Sequence, residues 1–166
     1  INYTYRTGDE TETGGSIGGN GPERSEADPQ SIDTETLGTK LAFMPAEGHE
    51  LILGLERFES TVDTTLLSDF GTVVRGTVTD SRVSSDERER ERYSLEYRYD
   101  NSGGFIDSAR ITVYQQTSDT FQATFEERTA PGFVAQTRQR FSTFEQEIQG
   151  LFAQGTRSLA FAGMEH

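Results

Sequence analysis

The sequence predicts an all-β chain: an antiparallel up-and-down transmembrane β-barrel, here a partial set of about seven strands. Three observations predict it. Segments of strict apolar/polar alternation recur along the chain. Long and short connections alternate between them. The apolar content, 32%, is low for a soluble core, whereas a barrel needs only one apolar face, toward lipid.

The clearest strand is 92–100. Tyr93, Leu95, Tyr97 and Tyr99 share one parity, while Arg92, Ser94, Glu96, Arg98 and Asp100 share the other. Side chains of an extended strand alternate faces, so one face is apolar and the other charged. Ile1, Tyr3 and Tyr5 alternate with Asn2, Thr4 and Arg6. Leu37, Thr39, Leu41 and Phe43 form a second set, and Leu51, Leu53 and Leu55 a third, blurred by Ile52. Ala109, Ile111 and Val113 form another, whose parity Phe121, Ala123 and Phe125 continue, as if the strand extends past the membrane. Residues 140–153 place Phe144, Ile148 and Phe152 on one face, and Leu159 with Phe161 marks a last strand.

Short turns are expected at Met44–His49, from Asp100 to Gly104, and at Gln154–Arg157, where Pro and Gly break the pattern. Long polar loops are expected near 8–34, 61–91 and 116–137. This alternation suits short periplasmic turns and long extracellular loops. The long segments carry net charges of −6, −3 and −2 out of a total of −13. Residue 1 falls inside a strand, and seven strands are an odd number, so a longer protein is expected to supply the rest of the barrel. Residues 1–166 are read as part of one barrel domain in a Gram-negative outer membrane.

Composition narrows function. The chain has no Cys, hence no disulfide framework or thiolate metal site. The acidic balance argues against nucleic acid, which needs clustered Lys and Arg. No apolar run is long enough for a membrane helix.

Several stretches resemble a known family. Leu37-Gly38-Thr39-Lys40-Leu41-Ala42-Phe43, the turn with Gly48-His49-Glu50-Leu51, and Gly54-Leu55-Glu56-Arg57-Phe58 resemble barrel strands of TonB-dependent outer-membrane receptors. So do Arg92-Tyr93-Ser94-Leu95-Glu96-Tyr97-Arg98-Tyr99 and Ile111-Thr112-Val113-Tyr114. The most similar subgroup is the haem/haemoglobin receptors. The resemblance implies a barrel of about 22 strands around a plug domain. It also implies coupling to the TonB complex, outer-membrane lipid around the wall, and haem or a haem-carrier protein at the extracellular loops. Haem would be cargo, with no intrinsic cofactor. The Phe-Arg-Ala-Pro and Asn-Pro-Asn-Leu motifs of the haem subgroup do not occur here, so no ligand position carries over.

Individual motifs each admit two readings. Gly14-Gly15-Ser16-Ile17-Gly18 fits the nucleophile pattern G-x-S-x-G, which needs a strand before and a helix after; the alternative is a flexible loop. His166 is the candidate metal ligand, since imidazole is a common axial ligand of haem iron. His49 lies in a short turn, far from an extracellular entry. Tyr3, Tyr5, Tyr93, Tyr97 and Tyr99 fit an interfacial aromatic girdle better than haem stacking. In Asp86-Glu87-Arg88-Glu89-Arg90-Glu91-Arg92 the Glu residues face one side and the Arg residues the other. The Arg row either guides an anionic ligand or pairs with neighbouring strands. No EF-hand loop or H-E-x-x-H motif is present, and no catalytic residue is expected. The function expected is uptake of an iron compound, haem or haem from haemoproteins. A ferric-siderophore receptor, a barrel enzyme and a soluble secreted β-domain are the alternatives.

Overall fold

A computed structural model describes residues 1–101, 106–132 and 134–157. They form one seven-stranded antiparallel sheet. The strands are β1 (Asn2–Asp9), β2 (Gln30–Ala46), β3 (His49–Thr65), β4 (Val73–Val74), β5 (Thr77–Asp100), β6 (Ser108–Thr129) and β7 (Gln136–Thr156). Six follow one another as a meander, and the two-residue β4 pairs back onto β5. The sheet is open: β1 and β7 are its two edges and do not pair.

Turn chemistry fixes the register. Ala46 pairs with His49 across Glu47-Gly48. Gly48 has φ 74°, and a Cβ there would meet the Asp100 carbonyl oxygen, so only glycine fits. Pro45 sits at a bulge between Phe43 and Ala46, where its missing N–H breaks no ladder bond. Arg75 and Gly76 both have positive φ, 53° and 79°, the twist that joins β4 to β5 in a two-residue hairpin.

The register also sorts the faces. Phe43, Leu51, Tyr97, Ile111 and Ala153 lie in one cross-strand row. Leu41, Leu53, Leu95, Val113 and Leu151 lie in the next. These odd-numbered positions form an apolar face, and the even-numbered positions form a polar one. Neither face is covered. Among the described residues only Gly21, Thr79, Ala123 and Glu126 are buried, and Leu41, Leu53 and Leu151 are 63%, 56% and 72% exposed. A single layer with an uncovered apolar face cannot be held by a core of its own.

The strands run further than the alternation indicates. β5, β6 and β7 have 24, 22 and 21 residues. Much of 61–91 and 116–137, expected as loops, is therefore strand. Along 61–91 Ser, Thr and charge stand on both faces, so the strands there pair with little apolar stripe to mark them; along 116–129 Phe121, Ala123 and Phe125 keep the parity of Val113, and β6 extends as that parity indicates. The remaining connections at that end are 10–29, 66–76 and 130–135, and the last is no longer than 101–107 at the other end. The strict alternation of long and short connections does not hold.

Two further expectations change. Gln154–Thr156 continues β7, pairing with Ser108–Arg110, instead of turning. Phe144, Ile148 and Phe152 pair with Thr120, Gln116 and Thr112, which puts them on the polar face. Leu151 and Phe141 take the apolar face instead. β7 has apolar residues at both parities, and only its pairing with β6 decides. The strand expected at Leu159 and Phe161 lies outside the described residues.

Candidate functional site

The polar face divides into a paired half and an unpaired half. Near the Glu47-Gly48 turn, Glu96 takes ion pairs from Arg98 and from Arg110 at 2.7 Å, and Arg98 also reaches Glu50 at 3.2 Å. These residues come from β3, β5 and β6 and lock three strands together.

Further along β5 the same face presents Arg88, Arg90 and Arg92. They sit at i, i+2 and i+4, about 7 Å apart along an extended strand. None of the three lies within 4.0 Å of a described carboxylate. The sequence left open a salt-bridge ladder here, and none forms. The reason is the register: Arg88 faces Ser60 and Thr120, Arg90 faces Phe58 and Ser118, and Arg92 faces Glu56 and Gln116. Glu56 is the one acid opposite, and its carboxylate lies beyond ion-pair distance. Arg6 of β1 lies in the row of Arg88 and adds a fourth unpaired cation.

Aromatic rings hold two of these groups in place. The Arg90 guanidinium lies over Phe58, 5.5 Å from the ring centre, and Arg92 lies over Tyr114 at 4.6 Å. Cation–π contact orients a guanidinium while leaving its N–H donors free. Tyr114 in turn lies against Gly150, where a Cβ would meet the ring. A glycine on β7 thus seats the ring on β6 that seats the Arg on β5. Together with nearby hydroxyls and amides, these guanidinium groups present hydrogen-bond donors of the kind that anions accept from.

The other candidates resolve as follows. Residues 14–18 lie between β1 and β2, with no strand running directly into them and no helix following, so the nucleophile pattern lacks its context. The segment instead folds back on itself. The Ser25 hydroxyl accepts from the Ile17 amide at 3.0 Å, and Arg24 donates to the carbonyls of Gly19 and Ala27. Asp28 ties this loop to the 66–76 connection by accepting from the Ser68 amide and hydroxyl. The Glu10 carboxylate accepts from the Gln30 amide, which holds it below the ordinary carboxylate range. His49 opens β3, its Nδ1 at 2.7 Å from the Tyr97 hydroxyl and its ring beside Tyr99. That position is at the opposite end from the Arg row. His166 lies outside the described residues. Among the described residues no cluster of His, Asp and Glu could hold a metal ion.

The apolar face carries a feature that no local sequence pattern shows. Glu35, Glu59, Glu89, Asp119 and Glu145 lie directly opposite one another across five strands. The nearest cation on that face is Arg57, which pairs with Glu59 and reaches Glu91 at 3.9 Å. Like charges directly opposite destabilise a sheet, and this row holds five. The residues are far apart in sequence, so only the pairing register reveals them.

Comparison with models of known protein families finds no match for the chain, and comparison with curated proteins finds none either.

Proposed function

We propose that this chain is part of the wall of a TonB-dependent outer-membrane receptor that imports an anionic iron compound, haem or haem taken from haemoproteins. The observation that carries the membrane half of this reading is the slope of the apolar band. Its last apolar residue toward the 10–29 connection is Tyr5 on β1, Leu37 on β2, Leu55 on β3, Tyr93 on β5, Val113 on β6 and Leu151 on β7. Through the pairing register, Tyr5 is level with Glu59, whereas Leu151 is level with Leu53. The band therefore slides six positions in five strand-to-strand steps. At about 3.3 Å per residue and 4.8 Å per strand, that is about 20 Å against 24 Å, a slope of about 40°. Strands of a membrane barrel tilt by about 35–45°, so a band level with the bilayer must cross the pairing rows at that angle.

The tyrosines agree with this placement. Tyr3, Tyr5 and Tyr93 stand at one border of the band and Tyr97 and Tyr99 at the other, as interfacial girdles do. The apolar face then meets lipid, and the polar face with its Arg row lines the lumen. Missing strands, a plug and the TonB complex would complete the transporter. A haem-carrier protein would meet the loops.

The unpaired Arg row fits haem propionates and the anionic oxygens of a ferric siderophore alike, and the siderophore receptor is the second reading. The discriminating experiment is a titration of haem into the detergent-purified full-length protein, followed at the Soret band, with a ferric siderophore as competitor. A saturable shift that weakens at least tenfold in the Arg88→Gln/Arg90→Gln/Arg92→Gln variant supports haem at this wall. No shift, with siderophore binding instead, transfers the reading to the siderophore receptor. Neither ligand binding refutes both.

A further inference from the structure

Beyond the acidic row, the apolar face becomes apolar again. Phe121 and Phe125 on β6 and Phe141 on β7 gather there, with Val83 on β5 alongside. Phe121 stacks on Phe141 at 6.1 Å, and Phe125 meets Phe141 edge-on at 5.8 Å. Phe141 is 56% exposed. Along β7, Phe141 lies ten residues past Leu151, about 25 Å beyond the apolar band once the 40° tilt is applied. A continuous lipid-facing surface has no use for charge, yet Glu89, Asp119 and Glu145 separate the two apolar zones. The patch is therefore distinct from the band.

We infer that this outer surface of β5–β7 docks a basic polypeptide segment in which Lys or Arg alternates with apolar residues. Charge complementarity selects that occupant. Glu89, Asp119 and Glu145 have no cationic partner among the described residues, and cations laid across them would remove a like-charge repulsion already present in the sheet. The aromatic cluster supplies desolvated contact next to those charges, the pairing of an apolar centre with a charged rim that interfaces use. Beside it, a pocket of about 520 Å³ is bordered by Asp63, Val83 and Phe125, a combination suited to the stem and head of one long cationic side chain. A second copy of the chain is disfavoured, because self-association would set acidic row against acidic row. Lipid is disfavoured by the intervening carboxylates.

The test uses the full-length protein in detergent and two synthetic probes, a peptide of alternating Lys and Leu and an oligolysine of equal charge. The alternating peptide is expected to bind saturably and more tightly than oligolysine. Glu89→Gln/Asp119→Asn/Glu145→Gln should weaken both probes about tenfold. Phe125→Ala/Phe141→Ala should weaken only the alternating peptide. All these side chains are exposed, and each variant is to be checked for folding by circular dichroism before it is scored. Equal binding of both probes, or indifference to the Phe substitutions, overturns the inference in favour of simple polycation adsorption. Self-association through this face, abolished by Phe141→Ala, overturns it in favour of a second copy. These outcomes do not depend on whether the protein takes up haem.

Discussion

An arginine placed at successive depths along β5 separates a lipid-facing wall from a water-facing sheet. On this strand the apolar band runs from Tyr99 to Tyr93, so Leu95 is near its middle and Glu89 is six residues beyond Leu95. At about 3.3 Å per residue and a 40° tilt, those six residues rise about 15 Å, more than half of a barrel's apolar band of about 25 Å. Leu95→Arg should therefore cost about 2–4 kcal/mol of folding free energy in a bilayer, and Glu91→Arg about 0–1 kcal/mol. Glu89→Arg should be neutral or stabilising by up to about 1 kcal/mol, because it replaces one of five opposed acids by a cation. If both faces were in water, Leu95, already 41% exposed, would tolerate Arg within about 0.5 kcal/mol. The assay is reversible urea unfolding of the full-length protein folded into phospholipid vesicles, read by far-ultraviolet circular dichroism. A flat series, with Leu95→Arg as stable as wild type, would refute the assignment of this face to lipid.

Other consequences are testable on the same preparation. Gly150→Val should push Tyr114 off its seat and release Arg92. We expect a loss of about 1–3 kcal/mol from overpacking, with Tyr114→Ser in the same chain restoring much of it. Gly48→Val should destabilise by more than about 1 kcal/mol, since the turn needs positive φ and the Cβ would meet the Asp100 carbonyl. Glu126 is 6% exposed. Burial pushes its carboxyl up, but hydrogen bonds from Arg128 and Thr79 and the charges of Arg128 and Arg82 outweigh this and hold it below its usual 4.5. A carboxyl lowered on folding stabilises above its unfolded value and loses that contribution as pH falls through the folded one. Stability should thus drop below pH 4.5, and Glu126→Gln should flatten that drop; an unchanged acid slope in the variant would remove Glu126 from the explanation.

Legibility in the sequence followed from whether a residue's role is local. The strand around Leu95 is plain because its two faces differ in polarity, and the Arg row is plain because i, i+2 and i+4 share a face in any strand. The stretch Thr77–Glu91 reads as loop in sequence because it carries no sustained apolar stripe, and its pairing with β3 and β6 makes it a strand. Phe144, Ile148 and Phe152 share a face as their spacing indicates, but which face that is depends on pairing with β6, because β7 carries apolar residues at both parities. The acidic row, the Tyr114–Gly150 contact and the slope of the apolar band are all properties of register. Register depends on the Glu47-Gly48 turn, on the Pro45 bulge and on a second bulge between Thr79 and Ser81. Whether the Arg row pairs or stays open likewise depends on the residues opposite it.

The lack of Cys permits single-Cys nitroxide labels along β5 and β6 without background. The most direct test is their accessibility in the full-length protein reconstituted in vesicles, measured against oxygen, which concentrates in lipid, and a nickel chelate, which stays in water. Labels at 93, 95, 97, 111 and 113 should favour oxygen, labels at 94, 96 and 112 should favour nickel, and the period should be two residues. At 89 and 119 the oxygen preference should vanish. Odd positions that are as open to nickel as even ones, or shielded from both reagents, would contradict a lipid-facing wall.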